Sequence, residues 1–204
     1  AHNDRFVFLG IGEGPVVMPI QGTLDETRQR LARELKPTGD LYNSPMAKRH
    51  LASVLLERAW NPKRRSFTGA FDSDELDASC LLLAELGLVE PNDPRFEQTV
   101  AATERELFQH NHVMRYATAD DFGLPETAFL VCRFWLIDAW ASMGQREKAR
   151  ELFVDALAHR NRYGLLSEDI DPRTGQLWGN FPQTYSMAGL ILSAMRLSRT
   201  WEDR

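Results

Sequence analysis

Cysteine is scarce: the 204 residues hold two, Cys80 and Cys132. Both lie in apolar stretches of helical period, where a free thiol packs as a small hydrophobe. They supply no disulfide framework, so a reducing, cytoplasmic setting is expected. Long hydrophobic runs are missing too. None reaches the roughly 20 residues needed to cross a bilayer, so no membrane partner is expected. The opening AHNDRFVFLG lacks the basic-then-apolar order of a secretory signal. It also lacks an initiator Met, and the chain is expected to be processed or part of a longer protein. Excess positive charge is absent: the formal net charge is -5. That argues against a nucleic-acid partner, which needs clustered Lys and Arg. The local basic run Lys63-Arg64-Arg65 follows Asn61-Pro62 and reads as a solvated turn. No segment recurs at a fixed period, so the sequence gives no mark of a solenoid.

What the sequence does contain is 3.6-residue periodicity. Seven helices are expected. The first spans Thr23 to Lys36, where Thr23 and Glu26 form a capping box. Ser44-Pro45 opens the second, with Pro at the first helical position, and Asn61-Pro62 stops it near Trp60. The third is Asp74 to Leu86, ended by Gly87. Asp93-Pro94 opens the fourth, to about Gln109, and Leu124-Pro125 opens the fifth, to Met143. Gln145 to Asn161 is the sixth, and Thr184 to Trp201 the last. Residues 1–22 are rich in Val, Phe, Ile and Gly, and read as an irregular or strand-like arm before a helical unit at 23–204.

The helices alternate in character. PETAFLVCRFWLIDAWASMG is apolar nearly all round, which means burial on most faces, whereas QREKARELFVDALAHRN has a charged side. This alternation predicts an inner and an outer layer, hence an all-α fold that forms part of an α/α toroid. Turns after Gly87 and Gly144 are short. The loops Trp60–Ser73, His110–Leu124 and Tyr163–Gln183 are long, and long ordered loops in a compact domain are usually functional.

The loops carry the candidates. Arg115-Tyr116 pairs a planar cation with an aromatic, a combination that holds polar rings. Asp120 and Asp121 suit a turn cap. Glu126 follows Pro125, where an acid favours the macrodipole of a starting helix, so a helix-end role and a binding role both stand. His110 and His112 have weak spacing for a metal site; neither metal nor cofactor is expected. Asp171-Pro172-Arg173-Thr174-Gly175 is a turn with its own mechanism, which leaves Asp171 a structural job. Glu168 has no such job. Trp178, Phe181 and Tyr185 are near it in sequence. A carboxylate beside aromatics suits carbohydrate chemistry, where rings stack on sugar faces and paired carboxyls flank the glycosidic bond.

The stretch GLLSEDIDPRTGQLWGNFPQTYSMAGL resembles the C-terminal signature of glycoside hydrolase family 15, which includes glucoamylases, glucodextranases and bacterial trehalases. FTGAFDSDELDASCLLLAELGLVEPNDPRFEQTV and MRYATADDFGLPETAFLVCRFWLIDAWASMGQREKARELF resemble its upstream segments in the same order, so the likeness covers roughly Ala47 to Trp201. It implies an (α/α)6 barrel and an inverting enzyme for terminal α-linked glucose in an oligosaccharide or disaccharide. Matched by motif, Glu168 is the general base, Arg115 and Tyr116 line the pocket, Tyr185 stands near the base, and Trp178 and Gln183 support the loop. The family's general acid belongs to an upstream Gly-Ile-Trp-Glu motif. This chain has Gly10-Ile11-Gly12-Glu13, without the Trp and without the following aromatic helix.

A full toroid has twelve helices. The resemblance therefore implies the C-terminal portion of a catalytic domain, with exposed inner helices ready for the missing N-terminal portion or for self-association. Three readings follow: a hydrolase piece carrying the base, a carbohydrate-binding pseudoenzyme without the acid, and a structural helical scaffold. The loop motif argues against the third.

Overall fold

The computed structural model describes residues 45–121 and 123–198. The arm at 1–22, Glu13, the first expected helix and the end of the last lie outside them. The described chain is mostly helical, with five α-helices and several two-residue strands. Helix α1 is Pro45–Ala59, starting at the proline as expected. A hairpin of β1 (Trp60–Asn61) and β2 (Ser66–Phe67) follows. Its turn is the basic run. Asn61 Oδ1 accepts from the Lys63 and Arg64 amides, both at 3.0 Å. Arg64 pairs with Glu106, and Arg65 Nε donates to Gln98 at 2.7 Å. These arginines therefore pin the hairpin to the next helix.

The third expected helix is corrected. Only a 3-10 turn, Ala78–Leu82, forms there. Hydrogen bonding explains why. The Glu75 carbonyl is taken by the Gly69 amide, and the Ala78 amide donates to Arg115 O, both at 2.9 Å. Neither group is left for an α-helical ladder. Asp77 caps the turn by accepting from Ser79 N at 2.8 Å, and Gly87, at φ 67°, ends the segment.

Helix α2, Pro94–Glu106, begins as read. Asp93 caps it through Arg95 N at 2.8 Å, and Pro94 takes the first position. It stops before Gln109, because β3 (Phe108–Gln109) turns back onto β4 (His112–Val113). Strand β5, Ala128–Phe129, precedes α3, Leu130–Ser142. The expected start of that helix at Pro125 is likewise corrected. Ala128 and Phe129 pair with Ile170 and Asp169 of β6 (Asp169–Ile170), and β6 pairs on its other side with β7 (Leu177–Trp178). Strand pairing thus takes the residues that would have made the first helical turn.

Among the described residues, helix α3 is the central element. Ten of its thirteen residues are buried, matching its all-round apolar pattern. Helices α4 (Arg146–Ala158) and α5 (Thr184–Leu197) and the 3-10 turn pack on it. Helix α4 keeps its charged side exposed. Helix α5 meets α3 through small residues: Ser186, Gly189 and Ser193 are buried, while Tyr185, Ile191, Leu192 and Met195 are exposed.

One core feature departs from an apolar interior. Arg133 of α3 is fully buried. It pairs with Asp155 of α4, donates to Leu152 O at 3.1 Å, and meets His112 Nδ1 at 3.4 Å. Burial lowers its pKa and the Asp155 pair opposes that shift. His112 packs edge-on against His159, ring centroids 4.9 Å apart. Burial first, then the charge of Arg133 and the neighbouring His159, push His112 down to about 3. His112 therefore works as a neutral acceptor inside the core. Both cysteines are free and buried, and burial raises their pKa values.

Candidate functional site

Glu168 immediately precedes β6, and its backbone is bonded on both sides. Leu130 N donates to Glu168 O at 2.9 Å, and Glu168 N donates to Asn180 O at 2.9 Å. The residue therefore sits between the start of α3 and the strand returning from β7. Its side chain is anchored by the same return strand. Asn180 N and Asn180 Nδ2 both donate to Oε2, at 3.1 and 2.7 Å. Gly179, at φ 76°, makes room: a Cβ there would fall 3.0 Å from both Cβ and Oε2 of Glu168. Glycine meets two needs at once, a left-handed backbone and a close approach.

The neighbouring Asp169 is half-buried and accepts from Thr127 Oγ1 at 3.3 Å. Burial is the main cause of its raised pKa; Thr127 opposes the shift and the charge of Glu168 adds to it. Asp171 closes the hairpin. Its Oδ1 accepts from Arg173 N, and Gly175 N donates to its carbonyl, both at 2.8 Å. Its structural role is as the sequence indicates. Across from it, the would-be Cβ of Gly175 lies 3.8 Å from His159 Nδ1, so the hairpin rests on the end of α4.

Arg115 occupies a second position around the same end of α3. Its Nε donates to Asp77 Oδ1 at 2.7 Å, and its guanidinium carbon is 5.7 Å from the Trp135 ring centroid. Burial works against the charged guanidinium, but the Asp77 carboxylate outweighs it and raises the pKa. The charges of Arg115, Asp77 and Asp169 all act on buried Cys132, in the first turn of α3. Tyr116 OH donates to Asp120 Oδ2 at 2.6 Å, which fixes its ring beside the loop. The Asp120–Gly123 bridge closes that loop, so Asp120 does serve a turn.

Trp178 is Asp169's cross-strand partner and is half exposed. Tyr185 opens α5 and is 68% exposed. Gln183 N donates to Leu166 O at 3.0 Å and caps α5 by position only. Glu126 is exposed in the loop ahead of β5. Its helix-end role is corrected, because α3 starts four residues later. Among the described residues no group of His, Cys, Asp and Glu could hold a metal; His110 sits at a hairpin corner and His112 is in the core.

Two partners escaped the sequence reading. Asp77 carries Arg115, and Asn180 carries Glu168. Asp77 had a signal in the Asp-Ala-Ser order of a cap. Asn180 had only its place after Gly179. A small cavity lies elsewhere, lined by Leu81, Trp135, Asp138 and Ser142.

The comparison with known proteins bears on this arrangement. The model for glycosyl hydrolases family 15 matches residues 20–195. The chain belongs to that family. Its Glu168 hairpin and Arg115 loop both lie within the match. The chain is 32% identical over 168 residues to a trehalase of Thermoplasma volcanium, covering 82% of this chain and 27% of that protein. It is 35% identical over 144 residues to a trehalase of Mycolicibacterium smegmatis, covering 69% of this chain and 22% of that one. The chain thus spans about a quarter of the length of the curated relatives it matches. A solved glycosidase aligns over 85% of this chain and 51% of its own, at 17% identity and a TM-score of 0.63. An unsaturated glucuronyl hydrolase of Bacillus sp. GL1 aligns over 85% and 59%, at 14% identity and 0.56. These last two speak for the fold alone.

Proposed function

We propose that the chain carries the general-base portion of an inverting α-glucosidic hydrolase of trehalase or glucoamylase type, within an α/α toroid. The observation that carries this reading is the Glu168 carboxylate. It is held by two donors on Oε2, in a hairpin beside exposed aromatics. In the proposed step Glu168 takes a proton from water. The water oxygen bonds to the anomeric carbon opposite the leaving oxygen, and the glycosidic C–O bond breaks. A separate acid protonates the leaving oxygen. Arg115, Tyr116, Trp178 and Tyr185 bind the sugar; Glu126, exposed and free of a helix, is available for the same purpose. The trehalase relatives favour a disaccharide substrate. The domain would be completed by further helices. The exposed apolar face of α5 fits such a neighbour.

The second reading is a sugar-binding piece without turnover, favoured by the half-exposed Trp178 and Phe181 and by a Glu13 motif without its Trp. Proton NMR of the purified chain with trehalose and maltotriose separates the readings. Early β-glucose, abolished in Glu168→Gln, supports inversion with Glu168 as base. Full turnover in Glu168→Gln removes Glu168 from that role. Sugar binding by a folded chain without glucose release favours the second reading.

A further inference from the structure

A carboxylate that activates water needs one oxygen free and one orientation. Glu168 meets both conditions through a single residue. Asn180 gives Oε2 its backbone and side-chain N–H groups, at 3.1 and 2.7 Å, while Oε1 accepts no hydrogen bond among the described residues. The Asn180 carbonyl also accepts from Glu168 N at 2.9 Å, so the two residues are locked as a backbone pair. Gly179 brings this strand close enough for both donors to reach. Charge-assisted bonds of this kind are the strong ones, and the rotamer freedom of a glutamate is lost before substrate arrives.

We propose that Asn180 is a positioning residue: it pins Oε2 of Glu168 and leaves Oε1 as the one edge that meets the attacking water. This rests on the reading of Glu168 as general base, and the role is separable from the hairpin's stability. The Asn180→Ala substitution removes Nδ2 but keeps the backbone N–H and the carbonyl bond. Its expected signature is a fall in kcat of about 10- to 100-fold, since angstrom-scale misplacement of a catalytic group costs about that much. KM changes little, because the carboxylate edge is used in the transition state rather than in binding. Asn180→Asp, of the same size, places a second carboxylate against Oε2 in place of a donor and lowers kcat at least as far. Asn180→Ser, a shorter donor, restores part of the rate.

The test pairs kinetics with a readout that needs no turnover. In the full chain labelled with nitrogen-15, the Asn180 amide and side-chain NH2 signals are compared by NMR between the wild type and Glu168→Gln. Displacement of both signals in Glu168→Gln supports the clamp. Signals indifferent to Glu168→Gln overturn it. With trehalose, loss of turnover in Glu168→Gln together with a wild-type kcat in Asn180→Ala overturns the clamp and leaves the base in place. Unimpaired turnover in Glu168→Gln overturns both.

Discussion

The seat of α5 on α3 rests on one missing side chain. A Cβ at Gly189 would fall 2.9 Å from Cδ2 and 3.0 Å from Cβ of Phe134. The Phe134 Cβ is fixed by its own helix, and its ring is backed by Phe153 with centroids 6.5 Å apart. The ring cannot swing aside, so the helices must part. Two effects of Gly189→Ala then oppose each other. Alanine in a helix interior is better than glycine by about 1 kcal/mol. Overpacking a buried contact costs about 1–3 kcal/mol. The balance is a net loss of about 1 kcal/mol, or about 0.5 M in the urea midpoint for a slope of about 2 kcal/mol/M. Urea unfolding followed by circular dichroism measures it. The control is Ala188→Gly on the exposed side of the same helix, where propensity alone acts and about 1 kcal/mol is lost. If Gly189→Ala instead stabilises by as much as Ala188→Gly destabilises, the close packing of α5 on α3 is wrong. The site has a stake in this result, because α5 begins at Thr184 and its seat fixes the strand that holds Asn180.

Further expectations concern charge. His112, pushed down to about 3 from 6.5, contributes stability that is present above pH 6.5 and lost as pH falls toward 3, at up to about 1.4 kcal/mol per unit. Around it stand Arg133 of α3, Asp155 of α4, His159 at the C-cap of α4, and His110 of its own hairpin. His112→Gln keeps an acceptor for Arg133, so its stability should fall less steeply below pH 6.5; identical slopes in urea titrations at several pH values would count against the buried neutral ring. Asp138 is raised to about 6, chiefly by burial and against the Ser193 hydroxyl and Arg196. Its contribution is present below pH 3.8 and lost as pH rises through 6, about 3 kcal/mol in all. Asp138→Asn should therefore gain on the wild type between pH 4 and pH 8 in melting temperature, and a constant difference would refute the assignment. Arg115→Ala should weaken glucose or trehalose binding by about tenfold or more, the scale of a charged hydrogen bond. Unchanged affinity by calorimetry would reduce Arg115 to a strut for Asp77.

Helix bodies were legible where apolar spacing or a proline at the first helical position determined them. Pro45, Pro94 and the all-apolar α3 are such cases, and Gly144 ended its helix as read. The failures share one cause. Asp74–Leu86 and Pro125–Phe129 have helical composition, but their backbone groups are bonded elsewhere, to Gly69, Arg115 and β6. Periodicity reports which side chains want burial; it does not report where a particular N–H finds its acceptor. Arg133 was hidden for a related reason. Its partners Asp155 and His112 lie 22 and 21 residues away, and no local pattern joins them.

Those same failures fall around the proposed site. Regular helices lose their first turns where the Arg115 loop, β5 and the Glu168 hairpin meet, and local rules give way most often where a site has been built. The Leu130 amide donates to Glu168 O rather than to a residue of its own segment. That bond ties the start of α3 to the backbone of Glu168, whose carboxylate Asn180 holds. The Ala78 amide, donating to Arg115 O, ties the 3-10 turn to the Arg115 loop, beside the Asp77 that caps the turn and pairs with Arg115. The Leu130 and Ala78 amides thus both find their acceptors in the loops, on Glu168 and Arg115, just where the helical reading of their segments fails.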